Sequence, residues 1–396
     1  MDAVLIAAQS GRALAEAARR AGFRPFVADL FGDEDMLEAA EAHHPLPGRF
    51  GTGRLGGEAV LGALDALHEQ AGGNTLGVIL GSGFEGAPDL MARIAARHRL
   101  LGGTPETVAL LKDPFRFASL CADLAIPHPA VTAGPVADPE NHLVKGIGGS
   151  GGSHIRAAKR GRAPFGSYLQ ARVPGRSCAL NFLGDGRDAV PLALTEQWCA
   201  PSLLRPFRYA GALARGSAEP PTLPPRTVAG IEAAVARLVA ETGLRGLASA
   251  DLIAADDGRW WLTEINPRPG ATLDVLDRRA VPLVAAHVEA SLGRAAAPGP
   301  APVDAAGAEI WYGAREHRIG PAVAWPDHVR DRPRALSLMR RDAPVCTVLA
   351  TGPDAAAVKE DLARKAARVR ALLEGENHNE HGTRLSERER ADRPPG

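Results

Sequence analysis

Along the N-terminal quarter of the chain, short apolar runs alternate with longer stretches in helical spacing. Residues 4–8 are a continuous apolar run of strand length, broken by Gln9-Ser10-Gly11, and residues 13–21 are rich in helix formers and stop at Gly22. Residues 26–30 read as a second buried strand, 57–70 as a helix, and 76–80 as a further strand ending in Gly81-Ser82-Gly83. His43-His44-Pro45 reads as a loop between them. Apolar strands separated by helices, with turns at the strand ends, predict an open parallel α/β domain over residues 1–104. The Gly-Ser-Gly turn serves either a tight strand-to-helix connection or a nucleotide loop, and a lone Gly-x-Gly does not separate the two.

Beyond residue 104 the pattern mixes strands and helices in an α+β manner. Residues 105–124 predict one helix, entered after Thr104-Pro105 and left before Ile126-Pro127. Residues 144–183 give strand-like runs with glycine-rich interruptions, and 228–242 an amphipathic helix after the proline-rich 220–225. Two apolar runs, 248–254 and 260–265, flank Asp256-Asp257-Gly258, a hairpin signal. A helix over 281–292 precedes an Ala/Pro/Gly-rich linker at 295–305. Residues 306–374 predict a small β-containing C-terminal module closed by a helix over 355–373, and the polar, charged residues 375–396 a disordered tail.

Composition acts mainly by exclusion. A chain of 396 residues exceeds one simple core, so two or three domains are expected. The 46 basic and 46 acidic residues cancel, which gives no electrostatic case for a nucleic-acid or membrane partner. Cys121, Cys178, Cys199 and Cys346 form no Cys-x-x-Cys pair, which argues against a structural zinc site and for reduced thiols. No apolar run reaches the ~18 residues of a membrane-spanning helix. The start lacks a basic segment ahead of a long apolar run, so the cytoplasm is the expected compartment.

The chemistry concentrates in two places. Asp251 lies on the first run of the hairpin, and Glu264 and Asn266 lie on the second, in Glu264-Ile265-Asn266-Pro267-Arg268. Strand side chains alternate, so Glu264 and Asn266 share a face, and the hairpin turn brings Asp251 alongside them. Two carboxylates and an amide oxygen make a hard, oxygen-only set suited to Mg²⁺, unless the hairpin merely faces solvent. Arg268 can offer a bidentate fork to an anion. Upstream, Lys145 closes a strand ahead of Gly146-Ile147-Gly148-Gly149-Ser150-Gly151-Gly152-Ser153. That order places an ammonium and close-approaching backbone N–H groups on phosphate oxygens, although a flexible linker has the same composition. It is not a Walker A loop, since the lysine precedes the glycines. Gln197 and Arg208, between the two features, are placed for substrate contact.

Together these residues resemble the ATP-grasp superfamily over roughly residues 105–295: an aspartate on one strand, Glu-x-Asn-Pro-Arg on its partner, and a lysine-led glycine-rich lid upstream. Within it, Ala8-Gln9-Ser10-Gly11-Arg12 and Asn266-Pro267-Arg268-Pro269 are similar to predicted ATP-dependent carboligases, with relatives in the methanofuran and tetrahydromethanopterin one-carbon pathways. The resemblance implies an ATP-grasp fold with a lid at about 130–185, ATP and Mg²⁺ (Mn²⁺ as a substitute), and small-molecule carboxylate and amine substrates joined through an acyl phosphate. It implies Mg²⁺ on Asp251, Glu264 and Asn266, phosphates on Lys145, Gly148, Gly149, Ser150 and Gly151, adenine at Gln170 and Val173, and Arg268 and Lys145 in catalysis. A homodimer is one option in such a group. Two departures stand out. Ser177 occupies a position that is often acidic for ribose. The usual Asp-Lys pair is replaced by Lys112-Asp113-Pro114, so Lys112 either takes the second phosphate-binding role or is a surface helix charge. An ATP-binding module without turnover remains a rival, and so, more remotely, does a dinucleotide-dependent oxidoreductase, whose Gly-x-Gly-x-x-Gly is absent after the first strand.

Overall fold

The computed structural model describes residues 1–48, 50, 55–294 and 296–391, with side chains as far as Leu373. Its first sheet has five parallel strands in the order Ala42–Pro45, Arg24–Asp29, Ala3–Ala7, Thr75–Leu80 and Leu100–Leu101. Ala3–Ala7 is buried throughout because both faces are covered. Val4 and Ile6 enter one core with Leu14 and Leu283, while Leu5 enters the other with Leu61 and Leu64. The chain winds away from Ala3–Ala7 in both directions, so a crevice opens beyond the carboxyl ends of this strand and Thr75–Leu80. The 43–45 segment is a strand rather than a loop. His43 Nε2 meets the buried Asp29 Oδ1 at 3.0 Å, and that contact holds an otherwise polar edge in register.

The second sheet is antiparallel with eight strands, in the order Trp260–Asn266, Arg245–Ala254, Arg176–Asp185, Ala189–Cys199, Tyr209–Ala214, Ala305–Tyr312, Pro344–Gly352 and Val329–Arg330. The C-terminal strands therefore extend the hairpin's own sheet. Helix Pro225–Thr242 packs Ile231, Val235 and Leu238 against Leu180, Phe182 and Leu252, and stops at Gly243, whose φ of 65° suits glycine. A four-stranded sheet of Val131–Thr132, Ser167–Ala171, His142–Gly146 and Ile155–Ala157 carries the glycine-rich loop.

Residues 105–124 form two helices, Pro105–Lys112 and Pro114–Asp123, where the sequence predicts one. Pro114 has no N–H to extend the first, and Asp113 Oδ1 accepts from Phe115 N at 2.9 Å and Arg116 N at 3.0 Å to start the second. The break leaves Lys112 on the last turn of the first helix. The closing helix spans Ala355–Ala391 and so enters the stretch read as a tail from 375; side chains there, and residues 392–396, lie outside the described part. Among the described residues no helix is long and apolar enough to cross a membrane.

His287 ties the two large sheets together. Its Nδ1 accepts from Leu247 N at 2.8 Å and its Nε2 donates to Leu101 O at 3.0 Å, so the bridge requires the neutral ring. Burial draws its pKa from 6.5 down to about 4. The folded value is the lower one, so this stabilisation is complete above 6.5 and is lost as pH falls toward about 4. Replacing His287 with alanine is expected to cost about 1–3 kcal/mol at neutral pH, through the two backbone groups left unpaired. The gap in urea midpoint between wild type and variant should shrink on acidification; a constant gap would refute the bridge.

Candidate active site

The hairpin brings the three oxygen-bearing residues together. Asp251 pairs opposite Glu264 and Ser249 opposite Asn266, with the register shifting just after Asp251. Asn266 Nδ2 donates to Asp251 Oδ2 at 2.9 Å. The Lys112 ammonium donates to Asn266 Oδ1 at 2.9 Å and also to Glu264 Oε1. The oxygens of Glu264 and Asn266 thus already converge on a positive charge. Lys112 is buried here and is no surface helix charge. Among the described residues no three His, Cys, Asp or Glu side chains gather as a metal cluster; this site offers two carboxylates and an amide.

Lys145, in strand His142–Gly146, adds a second buried ammonium. Burial draws it below its usual range, opposed by Glu264 and Asp251. Burial also pushes up the Glu264 carboxyl, but Lys112 and Lys145 outweigh this and hold it down at about 2. Burial and the neighbouring Glu264 charge push Asp251 up to about 6. Two lysines and two carboxylates gathered out of water cost folding energy, a pattern typical of functional sites.

The glycine-rich loop packs against the first domain and strand Tyr209–Ala214, and His154 at its end feels the Glu264, Lys145 and Lys112 charges of this cluster. Gly148 has φ 69°, and a Cβ there would lie 2.5 Å from Gly86 Cα in the first domain. A Cβ on Gly149 would lie 2.2 Å from His154 Cγ. His154 Nδ1 is 3.3 Å from Ser150 O, and Gly151 O accepts from Tyr209 N at 3.0 Å. The small residues are therefore required by close approach as well as by flexibility. Gly148→Ala is expected to hinder closure and raise the KM for ATP about tenfold, from the one to two kcal/mol of left-handed strain together with the clash. Steady-state kinetics with an unchanged KM would show that the loop closes elsewhere.

Gln170 lies on Ser167–Ala171, paired with Leu143, and its Nε2 is buried without a hydrogen-bond partner. Val173 is half-buried in the connection to Arg176–Asp185. A cavity of about 570 Å³ opens between the loop, the first domain and the sheet, lined among others by Ser10, Gly83, Glu85, Gly148, Ser150 and Arg268. Arg268 Nε donates to Glu85 Oε1 at 2.9 Å, and Glu85 Oε2 accepts from Gly83 N at 2.7 Å. Burial raises the Glu85 carboxyl, but Arg268 and Lys112 bring it below its ordinary value. Sequence reasoning passed over Glu85; its one signal is its place just after the Gly81-Ser82-Gly83 turn. Arg208 is not free for substrate. Its guanidinium stacks on Tyr312 at 3.6 Å and bonds Ala200 O and Asp342 O, both at 3.0 Å. Gln197 is held in mid-sheet opposite Ala212.

Residues 114–272 match the family model of the ATP-grasp domain. Over that stretch the chain is similar to the ATP-grasp domain. The likeness in fold extends over most of this chain. The biotin carboxylase domain of 2-oxoglutarate carboxylase from Hydrogenobacter thermophilus, described as a dimer with MgADP, ADP and bicarbonate, aligns with a TM-score of 0.68 at 14% identity, covering 92% of this chain and 89% of that one. L-amino acid ligase from Bacillus licheniformis aligns at 0.66 with 18% identity, covering 92% and 98%. N5-carboxyaminoimidazole ribonucleotide synthetase from Thermotoga maritima aligns at 0.64 with 14% identity, covering 94% and 99%. No curated protein matches the chain.

Proposed function

We propose that the protein is an ATP- and Mg²⁺-dependent ligase that joins a small carboxylate to an amine or similar nucleophile through an acyl phosphate. One observation carries this reading: Lys112 is buried on the Glu264 and Asn266 oxygens, with Lys145 buried in the field of Glu264 and Asp251, next to a glycine loop that borders a substrate-sized cavity. The donor set fits Mg²⁺, because its oxygens already hold a cation and none is a sulfur or imidazole ligand. Asp251, Glu264 and Asn266 would hold Mg²⁺, which would supply charge neutralisation for the phosphates of ATP.

The chain's own residues supply the rest. Lys145 and Lys112 neutralise phosphate oxygens, and the 146–153 backbone N–H groups cradle them while the loop keeps water out. Gln170 and the backbone near Val173 take the adenine edge; the unpaired Gln170 amide is suited to that. A carboxylate oxygen of the substrate attacks the γ-phosphorus and ADP leaves; the nucleophile then attacks the acyl carbon, losing a proton, and phosphate leaves. Arg268, held by Glu85, stabilises the transferred phosphoryl group. No covalent protein nucleophile is needed, so positioning carries the rate. A homodimer is compatible with the fold.

The test is phosphate release from MgATP across a panel of carboxylates and amines. ADP and phosphate formed only with a particular acid–amine pair support the proposal. Tight, Mg²⁺-dependent ATP binding with no release for any pair favours an ATP-binding module instead.

A further inference from the structure

Three acids, Asp33, Asp274 and Asp331, also line the cavity and have no part in the chemistry above. The cation buried among them is Arg12. Its Nε donates to Asp331 Oδ1 at 2.9 Å, and its Nη2 donates to Asp274 Oδ2 at 2.6 Å and Asp331 Oδ2 at 3.0 Å. Its Nη1 donates to Glu16 Oε2 at 3.3 Å and to Asp274 Oδ1. A guanidinium has five N–H donors, and these bonds use all of them. Asp35 is satisfied by Asp331 N at 2.9 Å and Arg332 N at 3.0 Å.

Asp33 is left over. It is 5% exposed and lines the cavity, and among the described residues no hydrogen bond or ion pair reaches its carboxyl group. Burial, followed by Asp331, Asp29 and Asp35, pushes that carboxyl up to about 9. The Arg12 charge opposes this, but the Arg12 donors are spent on Asp331, Asp274 and Glu16, so no direct cation reaches Asp33 among the described residues. A metal ion is a poor candidate, because Asp274 and Asp331 are committed to Arg12 and no metal-holding trio gathers among the described residues. An organic cation needs only one carboxylate and a wall for its carbon chain, and Phe31, Tyr209 and Tyr312 line the same cavity.

We infer that Asp33 recognises a positively charged nitrogen group, ammonium or guanidinium, carried by the nucleophile substrate in addition to the nitrogen that reacts. The two nitrogens must differ, because an amine attacks a carbonyl only when unprotonated and a carboxylate-bound ammonium is protonated. This deepens the ligase proposed above and rests on it for the word substrate.

The test titrates full-length protein with cationic amines (putrescine, cadaverine, agmatine and lysinamide) and with the uncharged diol of cadaverine's length, in the presence of MgATP. At least one cationic amine should bind at least about tenfold more tightly than the diol, the usual value of a hydrogen bond to a charged group, and Asp33→Asn should erase that preference. Asp33→Asn should leave the melting temperature unchanged, since a carboxyl held up at about 9 is uncharged at neutral pH and asparagine is a neutral group of the same shape. No binding by any cationic amine, or a preference that survives in Asp33→Asn, overturns the inference. The ligase proposal is read separately, by phosphate release. Charge-dependent binding without release would sink the ligase and leave the Asp33 site standing. Release driven by amines of any charge and untouched by Asp33→Asn would do the reverse.

Discussion

Glu264→Gln is expected to lower MgATP turnover on the order of a thousandfold, the several kcal/mol of charge stabilisation at stake in such a site. Glutamine keeps the shape and an oxygen for Lys112 but removes the charge that faces Lys112, Lys145 and the Asn266–Asp251 pair. The backbone register of the hairpin does not depend on that charge, since Asp251 pairs opposite Glu264 through the main chain. Far-UV circular dichroism should therefore match wild type while turnover collapses, and excess Mg²⁺ should recover only part of it. Unchanged kcat in a folded variant would remove Glu264 from the metal site and leave it as a structural partner of the lysines.

Arg12→Met is expected to have the largest effect on stability, a loss of about 3–5 kcal/mol, because it leaves several carboxylates buried without their cation. Arg12 is 2% exposed and joins three parts of the chain: its own helix Arg12–Arg20, Asp274 in the short helix Leu273–Leu276, and Asp331 beside the C-terminal strands. Arg12→Lys should recover only a fraction, since an ammonium cannot reproduce a planar fork that meets two carboxylates at once. Urea unfolding followed by fluorescence measures both variants. A midpoint shift of Arg12→Met no greater than that of an exposed arginine such as Arg176 would contradict the network's structural weight.

The hairpin and the lid loop were legible in the sequence because both are local. Asp251, Glu264 and Asn266 converge through strand alternation and one turn, and Lys145 with its glycines is contiguous. Three strands of the parallel first sheet were legible for the same reason, as short unbroken apolar runs, whereas Ala42–Pro45, with two histidines, and the two-residue Leu100–Leu101 were not. Long-range placements were not legible. Glu85 reaches Arg268 across 183 positions and Arg12 reaches Asp331 across 319, and no periodicity encodes either contact. Arg208 looked available for substrate because its partners, Tyr312 and Asp342, come from strands and turns far along the chain. Lys112 could be weighed but not decided, because its burial depends on the helix break at Asp113-Pro114 that turns it against Glu264.

The most direct test of the central claim is trapping of the activated acid. The protein is incubated with MgATP, a panel of candidate carboxylates and hydroxylamine in place of the amine, and nucleotide, phosphate and hydroxamate are measured together. An acyl-phosphate ligase gives equimolar hydroxamate, ADP and phosphate with its own acid, and none of the three with Glu264→Gln. Hydroxamate accompanied by AMP and pyrophosphate would contradict the account, because the carboxylate would then be activated by adenylation.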